Sequence, residues 1–167
     1  NGKDPYKNVK QISGCTFKNL IKQQGKVYFI RLDSPILFYD NRVEFDTAST
    51  SNPAPLFLTQ SARGEMTISR CTFIKCASSN PDDGNAVNIR GYLDLFIEDS
   101  RFVNCFQEGI LGQAVVQYNE DRNNLVKFTD CTFQFSSAAG ACHAFNGNNS
   151  KLIFNRCTFS KCGAAIL

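Results

Sequence analysis

Apolar residues recur in pairs separated by one intervening residue: Met66 and Ile68, Leu95 and Ile97, Val126 and Phe128, Leu152 and Phe154. That alternation is the two-residue period of a strand with one buried face. Two polar residues follow each pair, as at Ser69-Arg70 and Asn155-Arg156, and there the chain can bend. A three-residue phrase then resumes the alternation, its first and third residues inward and its middle residue outward. Its versions are Cys15-Thr16-Phe17, Val43-Glu44-Phe45, Cys71-Thr72-Phe73, Ser100-Arg101-Phe102, Cys131-Thr132-Phe133 and Cys157-Thr158-Phe159. They begin at 15, 43, 71, 100, 131 and 157, giving spacings of 28, 28, 29, 31 and 26 residues. Solenoids, propellers and arrays keep such a period.

A small or apolar residue returns three places after the phenylalanine, at Leu20, Cys76, Cys105, Ser136 and Cys162. A third strand is announced by Gly25-Lys26-Val27-Tyr28, Gly84-Asn85-Ala86-Val87, Gly112-Gln113-Ala114-Val115, Gly140-Ala141-Cys142-His143 and Gly163-Ala164-Ala165-Ile166. The second coil departs most from the pattern, with Val43 for cysteine and Asp40 at an inward column. Its third strand is expected in Ala54-Pro55-Leu56-Phe57-Leu58. Three short strands per coil, without a 3.6-residue periodicity, predict a right-handed parallel β-helix rather than a helix-containing horseshoe. Residues 1–167 form one domain of about six coils. The inward ladders are Cys15, Phe17, Cys71, Phe73, Cys76, Phe102, Cys105, Cys131, Phe133, Cys157, Phe159 and Cys162. The chain begins with part of a coil and stops inside the strand Ala164-Ala165-Ile166-Leu167, so the expectation is a segment of a longer solenoid.

The C-T-F-x-x-C phrase followed by G-x-A-V or G-A-A-I resembles the repeats of polymorphic outer-membrane proteins and of related right-handed β-helix surface proteins of protists. In the bacterial repeats the third place after phenylalanine is commonly Asn and the glycine is doubled. Here that place holds Cys76, Cys105 or Cys162 and the glycine is single, which leans toward the protist type. The resemblance implies a surface protein with adhesive function.

Composition narrows the reading further. Fifteen Phe and no Trp suit stacked identical columns of rings. A net charge of +3 with scattered Lys and Arg argues against a nucleic-acid partner. No secretory signal, lipidation motif or bilayer-length apolar run stands in the sequence, so direct membrane insertion is not expected. Seven of the eight cysteines fall in the two inward columns of the phrase, where a buried thiol acts as a small hydrophobe. Bridges remain the alternative, with Cys131 and Cys157 or Cys76 and Cys105 stacked on adjacent coils. Spacings such as Cys71-x4-Cys76 imitate metal pairs, but they recur because the fold recurs, and the chain has one His, so neither a metal nor another cofactor is expected.

That histidine, His143, is assigned a packed position in a column with Tyr28, Val87, Val115 and Ile166. Polysaccharide lyases or hydrolases of the pectin-lyase-like type need acids gathered on one outer face. The outward column inside the phrase reads Thr16, Glu44, Thr72, Arg101, Thr132 and Thr158, with one acid. The neighbouring outward column reads Gln11, Tyr39, Thr67, Phe96, Lys127 and Ile153, too irregular for an ice-binding threonine array. Loop polar residues Asp82, Asp83, Glu120, Asp121 and Arg122 are the candidate binding residues, and Asn148 opens a glycosylation sequon.

The expected function is non-catalytic: an extracellular or cell-surface recognition scaffold presenting loops and lateral sheet to a protein or glycan partner. The alternatives are an architectural rod in an intracellular filament or large assembly, packed against neighbouring coils of a parent chain, and a polysaccharide lyase or hydrolase.

Overall fold

The computed structural model describes residues 10–20, 28–32, 34–46, 54–58, 63–76, 86–89, 92–105, 112–117, 124–134, 142–147 and 150–161. The first coil contains β1 (Gln11–Ser13), β2 (Thr16–Lys18) and β3 (Tyr28–Leu32). The second contains β4 (Leu37–Tyr39), β5 (Arg42–Glu44) and β6 (Ala54–Leu58), so its third strand lies where the sequence placed it. The third contains β7 (Arg63–Ser69), β8 (Thr72–Ile74) and β9 (Val87–Ile89); the fourth β10 (Tyr92–Glu98), β11 (Arg101–Val103) and β12 (Gly112–Gln117). The fifth contains β13 (Asn124–Thr129), β14 (Thr132–Gln134) and β15 (Cys142–Gly147), and the last β16 (Ser150–Asn155) and β17 (Thr158–Ser160).

Strands in the same place of successive coils pair in parallel. Sheet one runs β1-β4-β7-β10-β13-β16, sheet two β2-β5-β8-β11-β14-β17 and sheet three β3-β6-β9-β12-β15. All described strands therefore belong to a three-sheet parallel β-helix.

The interior is built from stacked identical residues. Phe73, Phe102, Phe133 and Phe159 form one column with centroids 5.1, 5.0 and 5.2 Å apart and planes within 6° of parallel. Phe128 and Phe154 stack beside it at 4.8 Å, and Phe128 meets Phe133 edge-on. Phe73, Phe102 and Phe133 are fully buried, each worth about 1.5–3 kcal/mol of apolar transfer.

The register of the second coil differs from the sequence reading. Val43 pairs with Phe17 below and Phe73 above, so it occupies the phenylalanine column rather than the cysteine column. The phrase of this coil is Asn41-Arg42-Val43, beginning at 41 instead of 43. A two-residue shift keeps every inward residue inward, so alternation could not reveal it. Volume is conserved across the shift: this coil has Phe38 then Val43 where the next has Ile68 then Phe73, and Phe38 stacks diagonally on Phe73 at 6.3 Å.

The same shift corrects two outward columns and one inward position. Arg42, not Glu44, stands between Thr16 and Thr72, and Leu37, not Tyr39, stands between Gln11 and Thr67. Asp40 is exposed at the corner rather than inward.

Each corner between sheets one and two turns on a single residue in the left-handed region. These are Gly14, Asp40, Arg70, Asp99, Asp130 and Arg156, with φ between 47° and 65°. Asn and Asp tolerate this region because their side chains satisfy the local backbone, whereas Arg pays a steric cost. The next corner repeats the device at Asn19, Lys75, Asn104 and Lys161.

Candidate lateral binding face

Two outward-pointing columns define the outer face of sheet one. The first is Gln11, Leu37, Thr67, Phe96, Lys127 and Ile153; the second is Ser13, Tyr39, Ser69, Glu98, Thr129 and Asn155. Ile153 is the exposed large hydrophobic residue among those described, at 43%.

Between the first and fourth coils this face carries an open groove of about 600 Å³. Gln11, Leu37 and Thr67 come from the first column. Tyr39, Ser69, Glu98 and the corner residue Arg70 complete the lining. Its size falls in the range of small-ligand sites, and its lining is mostly polar, with Leu37 and the Tyr39 ring as its apolar parts.

Arg70 is fixed in place. Its Nε and one terminal nitrogen donate to the Asp40 carboxylate at 2.6 and 2.8 Å, and its guanidinium carbon lies 5.6 Å from the centroid of the Tyr39 ring. The paired arginine hydrogen bond holds the Asp40 carboxyl below its usual range, and the carboxylate raises the Arg70 pKa in return. Both groups are exposed, so the pair positions Tyr39 more than it stabilises the fold. An equivalent pair joins Arg156 to Asp130, with Nε donating at 2.7 Å. Opposite Tyr39 in the groove, Glu98 has no ion-pair partner among the described residues.

Other acids already have structural roles. Leu125 donates its backbone N–H to Asp94 at 2.7 Å, and Arg42 donates to Glu44 at 2.9 Å. Among the described residues no three His, Cys, Asp or Glu side chains gather to hold a metal ion. Among the described residues no helix is long and apolar enough to cross a membrane.

The cysteine ladder is a mixed column. Cys15, Asn41, Cys71, Ser100, Cys131 and Cys157 succeed one another, and Cys15, Cys71, Cys76, Cys105, Cys131 and Cys157 are thiols. Cys131 donates its thiol to the carbonyls of Ile97 and Thr129, both at 3.3 Å. Asn41 accepts from the Cys15 N–H at 2.9 Å and donates to the Ile12 carbonyl at 2.8 Å. Burial pushes the Cys71 thiol up to about 11 and the Cys131 thiol up to about 12, which makes both inert. Cys76 and Cys105 are fully buried in the second inward column.

The family assignment rests on the whole repeat. The family described as the right handed beta helix region matches residues 6–167. The chain belongs to that family. No curated protein and no solved structure matches this β-helix.

The structure brings the ladder residues Cys15, Phe17, Cys71, Phe73, Cys76, Phe102, Cys105, Cys131, Phe133, Cys157 and Phe159 into the β-helix interior, those of the end coils half-buried. Cys162, the loop residues Asp82, Asp83, Glu120, Asp121 and Arg122, and the sequon residue Asn148 lie outside the described residues.

His143 is paired with Gln113, not with the Val87 and Val115 column. That column continues into Phe145 and begins with Ile30 and Leu56 instead of Tyr28. Gly112 pairs with Cys142, so counting from the glycine at 140 runs two residues short. The groove residues Tyr39, Ser69, Arg70 and Glu98 were not picked out from sequence. The dipeptides Asp40-Asn41, Asp99-Ser100 and Asp130-Cys131 share one corner pattern, and aligning them would have set Tyr39 beside Ser69 and Glu98.

Proposed function

We propose that this β-helix is a non-catalytic recognition scaffold at the cell surface or outside the cell, with the lateral face of sheet one as its binding surface for a glycan or protein partner. The groove between Tyr39, Arg70 and Glu98 is the observation that carries the reading. It combines a held aromatic ring, a guanidinium with unused N–H donors and a carboxylate, a set that suits polar ligands with an apolar face, such as sugars. Its walls are strands and corners, which hold side chains more rigidly than loops do.

Asp40, Glu44, Asp94 and Asp130 each hold an arginine or a backbone amide, which favours a structural over a catalytic use of the acids. The phrase resemblance to surface-protein repeats supports the location. Probing glycan and cell-surface protein arrays with the labelled chain tests the reading. Saturable binding of a defined glycan or protein is the expected result, and turnover of a polysaccharide by the purified chain would overturn it.

A further inference from the structure

We infer that oxidative folding cross-links this β-helix at two sites among its described cysteines, Cys76 with Cys105 and Cys131 with Cys157. The inference stands apart from the recognition reading, because it depends on coil register and not on the groove.

In-register residues of adjacent coils have Cα atoms about 4.8 Å apart, inside the span of about 4.4–6.8 Å that a disulfide bridges. Residues two coils apart are about 9.6 Å from each other and outside it. The first inward column alternates accordingly. Asn41 separates Cys15 from Cys71, and Ser100 separates Cys71 from Cys131. Cys131 and Cys157 follow one another directly. In the second inward column, Cys76 and Cys105 come two residues after the paired Ile74 and Val103, the ladder continues with the Lys75 N–H donating to the Val103 carbonyl at 2.8 Å, and both side chains are fully buried. Among the described cysteines of these two columns, two stacked pairs and two solitary thiols result.

Oxidised glutathione is a sufficient oxidant. One cysteine thiolate attacks a glutathione sulfur, forming a mixed disulfide and releasing one glutathione thiolate. The stacked cysteine thiolate then attacks the mixed disulfide, closing the protein bridge and releasing the second glutathione. The two protein thiol protons end on the two glutathione molecules, and the protein loses two electrons to them. Cys76, Cys105 and Cys131 are all buried in the folded chain, so the exchange at both sites belongs to the assembling chain, before each coil is covered by the next.

The test is refolding of the unmodified chain from denaturant in a buffer of reduced and oxidised glutathione, followed by alkylation, proteolysis and mass spectrometry. The expected products are the 76–105 and 131–157 cross-linked peptides, with Cys15 and Cys71 alkylated. The melting temperature should exceed that of the chain refolded in excess reduced thiol by roughly 5–15 °C. The absence of either cross-link, or the capture of Cys15 or Cys71 in a bridge, overturns the inference. Cys157→Ser, at the half-exposed end of the column, provides a second arm. It should leave Cys131 alkylated and the 76–105 bridge intact, and recruitment of Cys131 by another cysteine would contradict the register.

Discussion

Ser100 holds Cys71 through the backbone: its hydroxyl accepts from the Cys71 N–H at 3.1 Å and donates to the Glu98 carbonyl at 2.7 Å. A polar residue in a column of thiols thus closes hydrogen bonds that the corner opens in the sheet. Ser100→Ala leaves a buried amide without its acceptor and should cost about 1–3 kcal/mol in denaturant unfolding. A loss below about 0.5 kcal/mol would show that the corner amide is satisfied without it.

Position in the stack sets the value of each phenylalanine. Phe102 has a ring on both sides at 5.1 and 5.0 Å and is fully buried, whereas Phe159 of the last described coil is only partly buried. Phe102→Ala should cost about 3–5 kcal/mol and Phe159→Ala clearly less. Equal losses in chemical denaturation would contradict the column.

Corner strain gives a prediction of opposite sign. Lys75 adopts φ 52°, in the left-handed region that disfavours branched side chains. Relief of about 1 kcal/mol on substitution by glycine offsets the greater freedom of the unfolded chain. Lys75→Gly should melt at or above the parent and Lys75→Val below it. The reverse order would remove the strain argument.

Much of this fold was readable because the interior is periodic. Cysteine and phenylalanine recur where coils stack, and each coil reports on its neighbours. The second coil was misread for a physical reason: moving the phrase from Asn41-Arg42-Val43 to Val43-Glu44-Phe45 preserves parity, and Phe45 is itself buried. A buried asparagine in a thiol column is foreign to a hydrophobic pattern, although its two backbone hydrogen bonds explain it. His143 was misplaced because the glycine before a third strand does not keep a constant distance from it. The groove was missed because it joins four coils, and the two-residue slip of the second coil set Tyr39 in line with Thr67 and Phe96 instead of Ser69 and Glu98.

Alkaline pH should loosen the ladder under reducing conditions. Burial raises the Cys71 thiol from 9.0 to about 11 and the Cys131 thiol to about 12. An unfolded chain ionises these groups first, so their contribution is complete below about pH 9 and declines as pH rises through the folded values. Melting temperatures between about pH 8 and about pH 11 should fall less steeply in Cys71→Ala than in the parent, and parallel slopes would contradict the assignment.

The central claim is that the interior columns build the scaffold while the outer face of sheet one recognises the partner. Its most direct test is one paired measurement on the double variant Tyr39→Ala and Glu98→Ala: melting temperature, and affinity for a partner identified on the arrays. The account predicts a melting temperature within about 2 °C of the parent, as for surface changes, and at least a tenfold loss of affinity, on the order of 1.4 kcal/mol. Unchanged affinity in a stably folded double variant would contradict it.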